Sequence, residues 1–269
     1  MEIRNYSPRT VKTYVAMLAT ASKYYCQSPD KITIDQLKSY LHYCTKERGL
    51  SVSTINQTIN AFRILFQDVL GLDWETIKIK RPRKNKHLPV ILSKEEVSKM
   101  IEVTVNIKHK AIIAILYSSG IRRWELLNLQ PSDIDSKRML IRIRNGKGNK
   151  SRETLLAQNT LEMLRAYFRL YHPSVYLFES YRPGIPYSST SVNKIVERAA
   201  QRAGVTKPVC IHSFRHAFAT HLLEQGANLK VIQRLLGHTS MRTTSVYLHL
   251  AKTDYKNVKS PFDTTMETV

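Results

Sequence analysis

The chain begins with three apolar stripes at helical spacing. Val11, Tyr14, Leu18 and Tyr25 follow Ser7-Pro8, a cap residue with proline at the first helical position, and predict a first helix. Thr33 or Asp35 opens a second, with Leu37, Tyr40, Leu41 and Cys44 on one side and Gly49 placed to end it. Ser53 opens a third, with Ile55, Ile59, Phe62 and Phe66 on one face and Gly71 closing it. A short helix is expected near Trp74. Residues 1–79 therefore read as an all-helical unit of four or so helices, with Lys12, Lys23, Lys38, Lys46, Arg48 and Arg63 on its polar faces.

The periodicity breaks from Lys78 to Lys86, a basic run containing Pro82 and followed by Pro89. Residues 80–90 read as an extended interdomain linker. Its Lys80, Arg81, Arg83 and Lys84, with Arg63 before them, could follow a nucleic-acid backbone or simply be solvated.

A second domain, 91–269, opens at Ser93-Lys94-Glu95-Glu96, a capping-box pattern. A buried helix is predicted from about Lys108 to Ser119. Gly120 to Glu125 interrupts it, and helix resumes at Leu126. Asp133 and Asp135 mark a turn. Met139 to Arg144 alternates apolar and basic, 145–150 form a hairpin tip, and Glu153 to Leu156 return. Helices follow near Asn159–Leu170 and Ser191–Ala203, then from His212 towards Gly226, and from Asn228 to Leu236 before Gly237. The fold class is mainly α with a small β-hairpin or sheet.

Charge narrows the function. Lys plus Arg number 42 against 21 Asp plus Glu, a net +21 spread along the chain. A folded, strongly basic protein most often meets a polyanion, nucleic acid first. Cys26, Cys44 and Cys210 form no CxxC pair or disulfide framework, which fits a reducing cytoplasm. The start carries no apolar signal segment, and the longest apolar run, Ala111 to Tyr117, is far short of a membrane span.

Chemistry concentrates between His212 and Tyr247. His212 and Arg215, three apart, share a helix face, and a cap at Ser213 would put both at an anion-binding helix start. His212 and His216 are four apart, a zinc-compatible spacing, but Ser213 stands where a zinc-protease helix needs glutamate, so no metal is expected. Gly237 would swing His238 off its helix axis, and Tyr247 follows on a final helix. Any one of these residues alone is better explained by packing or capping.

In order and spacing, Gly120-Ile121-Arg122-x-x-Glu125, Gly146-Lys147-Gly148, His212-x-x-Arg215-His216, Leu235-Leu236-Gly237-His238 and Tyr247 resemble the tyrosine recombinase (phage integrase) family. Arg215-His216-Ala217-Phe218-Ala219-Thr220-His221-Leu222-Leu223 is similar to the Xer-type branch. The resemblance implies a helical N-terminal core-binding domain and a mixed α/β catalytic domain. It implies Tyr247 as the nucleophile that forms a 3′-phosphotyrosyl link. Arg122 and Arg215 would grip the phosphate, His212 would accept a proton or hold an oxygen, His238 would bond the phosphate, and Lys147 would be the general acid. Glu125 would orient its neighbours. No cofactor is implied. The implied partners are double-stranded DNA sites and further copies of the chain, in a tetramer joined by exchange of the tail from Ala251 to Val269. Integration, excision, inversion and dimer resolution share this chemistry. A topoisomerase-like nicking and closing enzyme, or a DNA-binding regulator that does not cut, remain the alternatives. Arg123-Trp124 departs from the small or aliphatic pair expected before Glu125.

Overall fold

The computed structural model describes residues 1, 4, 6–74, 79, 81–82, 89–144 and 151–251. The chain forms two compact units, Met1–His87 and Leu88–Val269.

The first unit is helical. α1 (Pro8–Tyr25) is capped by Ser7, whose Oγ accepts from the Thr10 N–H at 3.2 Å. α2 (Ile34–Lys46) starts with a reciprocal box between Thr33 and Gln36. α3 (Val52–Arg63) is capped two residues before the expected Ser53, because Ser51 takes the capping bond from Thr54. The chain then widens into a π-helical stretch, Ile64–Val69, before Gly71 turns it in the left-handed region at φ 68°. Leu37, Tyr40, Ile55, Ile59, Phe62 and Phe66 fill the core, so the apolar stripe read from the sequence is the buried face. Trp74 lies in a bend against that core, and residues 75–78, where the short helix was expected, lie outside the described residues.

The second unit is built around α5 (Ile107–Ser119), which is apolar on every side: Ile112, Ile113, Ile115 and Leu116 are all fully buried. α4 (Lys94–Glu102) precedes it with the Ser93–Glu96 capping box. α6 (Arg123–Leu127) begins earlier than expected, because Arg122 is its N-cap and Glu125 its third residue, with the Arg122 N–H donating to Glu125 Oε2 at 2.7 Å. A three-stranded antiparallel sheet follows: β1 (Ile134–Asp135), β2 (Leu140–Ile143) and β3 (Arg152–Leu155). β1 is two residues long, too short to leave a period-two signal. In the β2–β3 register Ile141 faces Thr154 and Ile143 faces Arg152. α7 (Gln158–Tyr171), α8 (Ser189–Arg202), α9 (Ile211–Glu224) and α10 (Leu229–Leu236) complete the frame. Then come a short α11 (Met241–Thr244) and a 3-10 stretch, Ser245–His249. Among the described residues no helix is long and apolar enough to cross a membrane.

Two glycines set how α9 and α10 approach the rest. Gly120 ends α5 at φ 59°, and a Cβ there would lie 2.3 Å from the Phe218 ring of α9. Gly237 ends α10 at φ 62°, and its Cβ would lie 2.6 Å from Arg152 Cδ. Both positions need the missing side chain for conformation and for space at once.

Candidate active site

Three arginines converge on the carboxyl end of α10. Arg152 Nε donates to the Leu235 carbonyl at 2.8 Å, Arg215 Nη2 to that of Leu236 at 2.6 Å, and Arg122 Nη2 to that of Gly237 at 3.0 Å. The last carbonyls of a helix have no intrahelical partner and carry its negative dipole end, so positive donors there are doubly favourable. Arg215 Nη1 also donates to the Gly120 carbonyl at 2.6 Å, tying α9 to the end of α5.

A single carboxylate holds two of the three guanidinium groups. Arg152 binds Glu125 through both Nη atoms, at 2.6 and 2.7 Å, and Arg122 Nη1 reaches Glu125 Oε1 at 2.8 Å. Side-chain exposure is 3% for Glu125, 8% for Arg152 and 21% for Arg122. Burial alone would push the Glu125 carboxyl up, but Arg152 and Arg122 outweigh it and hold the carboxyl down to about 2. Three positive groups against one negative leave the cluster in excess of positive charge. Arg215, only 4% exposed, is pushed down to about 9 by burial, then by Arg122 and Arg152. It stays charged at neutral pH, in a site short of anions.

Burial, with the charges of the same cluster, pushes the histidine pKa values down. Burial, then the charges of Arg215, Arg122 and Arg152, push His238 down to about 4. His238 Nδ1 pairs with the buried Thr244 hydroxyl at 2.9 Å, which fixes the ring and leaves Nε2 for another partner. His212 occupies the second position of α9 with Arg215 one turn on, and burial followed by Arg215 lowers its pKa. Ser213 is not the cap expected for that helix. α9 begins at Ile211, and Ser213 sits one turn in, its Oγ accepting the Cys210 N–H at 3.1 Å.

Tyr247 lies on the 3-10 stretch, 3% exposed, its ring packed with Phe218, Ala219, Ile232 and Leu236. Its hydroxyl does not end in that apolar cluster: it meets His216 Nδ1 at 3.1 Å. Burial raises the phenol pKa, and Arg215 and Arg122 pull it back down. His216 itself is lowered by burial, then by His212 and Arg215.

Arg122, Glu125, Arg215, His238 and Tyr247 are thus brought into one neighbourhood, with His212 on the same helix as Arg215. Lys147 lies outside the described residues, as do Lys80, Arg83, Lys84 and 252–269. Arg81 Nη2 donates to Asn60 at 2.8 Å and Arg63 Nε to Gln67 at 3.2 Å, each within the first unit. Two members of the site were missed from the sequence. Arg152 had a readable signal: it shares a strand face with Thr154, which is fully buried, and an arginine on an inward face calls for a buried partner. His216 stood in the motif beside Arg215 but without a role, because its partner is 31 residues away.

Residues 89–254 match the phage integrase family, and residues 1–76 match the N-terminal SAM-like domain of phage integrases. The chain belongs to the phage integrase family. This integrase-family chain is 37% identical over 264 residues to a putative integrase/recombinase of Sinorhizobium fredii, covering 98% of this chain and 86% of that one. It is 32% identical over 250 residues to tyrosine recombinase XerA of Pyrococcus horikoshii, covering 92% and 85%. Among solved structures it is similar to the XerH site-specific recombinase bound to its difH substrate before cleavage. The TM-score is 0.73 at 26% identity, covering 91% of this chain and 78% of that one. With Xer-named relatives of this kind, the chain sits closest to the Xer branch of the tyrosine recombinases.

Proposed function

We propose that this enzyme, a site-specific DNA recombinase of the tyrosine class, cuts and rejoins strands with Tyr247 as its nucleophile. The observation that carries the assignment is the Tyr247 hydroxyl paired with His216 Nδ1 at 3.1 Å, beside Arg122 and Arg215. His216 Nδ1 takes the phenol proton as the oxygen attacks phosphorus. The bond from phosphorus to the 5′-oxygen breaks, and that oxygen leaves as a hydroxyl once protonated, with Lys147 as the donor. A 3′-phosphotyrosyl link remains and stores the bond energy for rejoining. Phenoxide, from a parent pKa of ~10, leaves far more readily than an alkoxide, so the step reverses without ATP.

Arg122 and Arg215 bond the non-bridging oxygens. Each spends two guanidinium N–H bonds on carbonyl or carboxylate partners within the fold, of the five it carries. Those fixed bonds aim the rest, which is how pre-set donors stabilise a developing charge without reorganising. His238 Nε2 and His212 supply further donors. The phenol is buried, so the Ser245–His249 stretch shifts when the scissile phosphate enters. The basic helices of residues 1–79, with Arg63, Arg81 and the linker 80–90, clamp the duplex backbone. The solved XerH complexes, with their DNA substrates, support double-stranded DNA as the partner here. The active assembly is a tetramer of this chain that exchanges its C-terminal tails, working in the cytoplasm. The named relatives are recombinases, and that weighs against a nicking-closing enzyme or a regulator that does not cut.

The test is a suicide substrate, in which a nick beside the cut lets the freed fragment diffuse away. The native chain traps a covalent DNA adduct and Tyr247→Phe traps none. Adducts of undiminished yield with Tyr247→Phe overturn the assignment.

A further inference from the structure

Two residues after Arg122, α6 carries an indole that neither the core nor the arginine cluster uses. Trp124 is 68% exposed, although apolar surface of that size is costly to leave in water. With Arg123 it forms the pair that departs from the expected family pattern. It opens onto a cavity of about 290 Å³ whose other walls include Tyr176, Asn128, Gln130 and Arg144. Glu125 forms part of the same wall, so the cavity backs onto the carboxylate that holds Arg122 and Arg152. Its volume lies just below the range of ligand pockets, which run from about 300 to 1,000 Å³. That is room for one ring system.

The rim is rigid. Asn128 Nδ2 donates to the Trp124 carbonyl at 2.8 Å, which leaves its amide oxygen as an acceptor. Arg144 is braced by Asp133 at 2.5 Å and by Ser132 at 3.1 Å, with its side chain still 47% exposed. Asp133 is itself buried. Two aromatic walls with amide and guanidinium groups at the mouth are the features that hold an unpaired nucleobase. The ring stacks, and its edge finds both donors and acceptors.

Resting on the reading of the site given above, we propose that the Trp124 cavity captures one base of the DNA strand beside the cut, after that base leaves its complement. Strand exchange supplies such a base: the freed strand must unpair from its old complement before it pairs with a new one. An unpaired base then exposes its faces to water, and a stacking pocket two residues from the phosphate-gripping Arg122 lowers that cost. No bond is made or broken in this step.

The probe is a duplex carrying the cut site mapped by the Tyr247 adduct, either fully paired or with a single unpaired nucleotide at successive positions beside the cut. Affinity is read by competition anisotropy. The native chain prefers the unpaired form at one position. Trp124→Ala loses that preference by about fivefold to a hundredfold, the usual range for removing one stacking platform. Trp124→Phe keeps most of it. A preference unchanged in Trp124→Ala, an equal loss on paired and unpaired duplexes, or no favoured position each overturn the inference while leaving the Tyr247 assignment intact. Failure of the native chain to form the adduct overturns both.

Discussion

Replacing Glu125 by glutamine tests whether one carboxylate organises the arginine cluster. The substitution keeps the shape and removes the charge facing Arg152 and Arg122. The carboxyl is held at about 2, against an ordinary 4.5. Each pKa unit is worth about 1.4 kcal/mol, so the ionised carboxylate contributes about 3 kcal/mol to folding at neutral pH. Its side chain is only 3% exposed, so solvent screening takes little from that figure. Breaking a buried ion pair by removing one partner costs about 3–5 kcal/mol, which agrees. For a domain of this size the loss corresponds to a Tm lower by about 6–12 °C. The pH dependence has a definite sign. Because the folded pKa is depressed, the stabilisation is fully present above pH 4.5 and fades as pH falls towards 2, where the folded carboxyl also takes up its proton. Urea unfolding of the native chain and Glu125→Gln at pH 7 and near pH 3 reads both quantities. A gap below about 1 kcal/mol at pH 7, or one as large at pH 3 as at pH 7, refutes the reasoning.

Other consequences can be checked separately. Arg152→Lys loses the two-pronged grip on Glu125, so adduct formation on the suicide substrate should fall by at least about tenfold, while Arg138→Lys, an exposed neighbour, leaves it unchanged. Gly237→Ala drives a Cβ to 2.6 Å from Arg152 Cδ at a positive φ, so it should lower both Tm and adduct yield. The depressed His238 pKa means that the unfolded chain takes up a proton at higher pH than the folded one. Stability should therefore decline between pH 6.5 and about 4, and His238→Gln should flatten that decline in a pH series of melts. Affinity for duplex DNA should fall steeply between 50 and 200 mM salt, as released counterions require, and a flat response in filter binding counts against a backbone clamp.

The sequence was most legible where a single face decided the structure. Ile55, Ile59, Phe62 and Phe66 announce α3 and its buried side, and Ser93 with Glu96 announces the start of α4. Chain starts were misjudged where two capping residues lay close together, as with Ser51 and Ser53, or where the cap was an arginine, as at Arg122. The family resemblance carried by Arg122, Glu125, Arg215, His238 and Tyr247 implied a common site, but the way it is held together was not readable. Three side chains from different parts of the chain share three successive carbonyls at the end of α10, and main-chain acceptors leave no mark in a sequence. The pairing of His216 with Tyr247 is hidden for a related reason, since it depends on where the 3-10 stretch returns to α9.

The most direct measurement is mass spectrometry of the trapped adduct after nuclease and protease digestion. The peptide containing Tyr247 should carry the added mass of a 3′-linked nucleotide on that tyrosine. The same mass on another residue, or an unmodified Tyr247 peptide from a complex that has cut its DNA, would contradict the account.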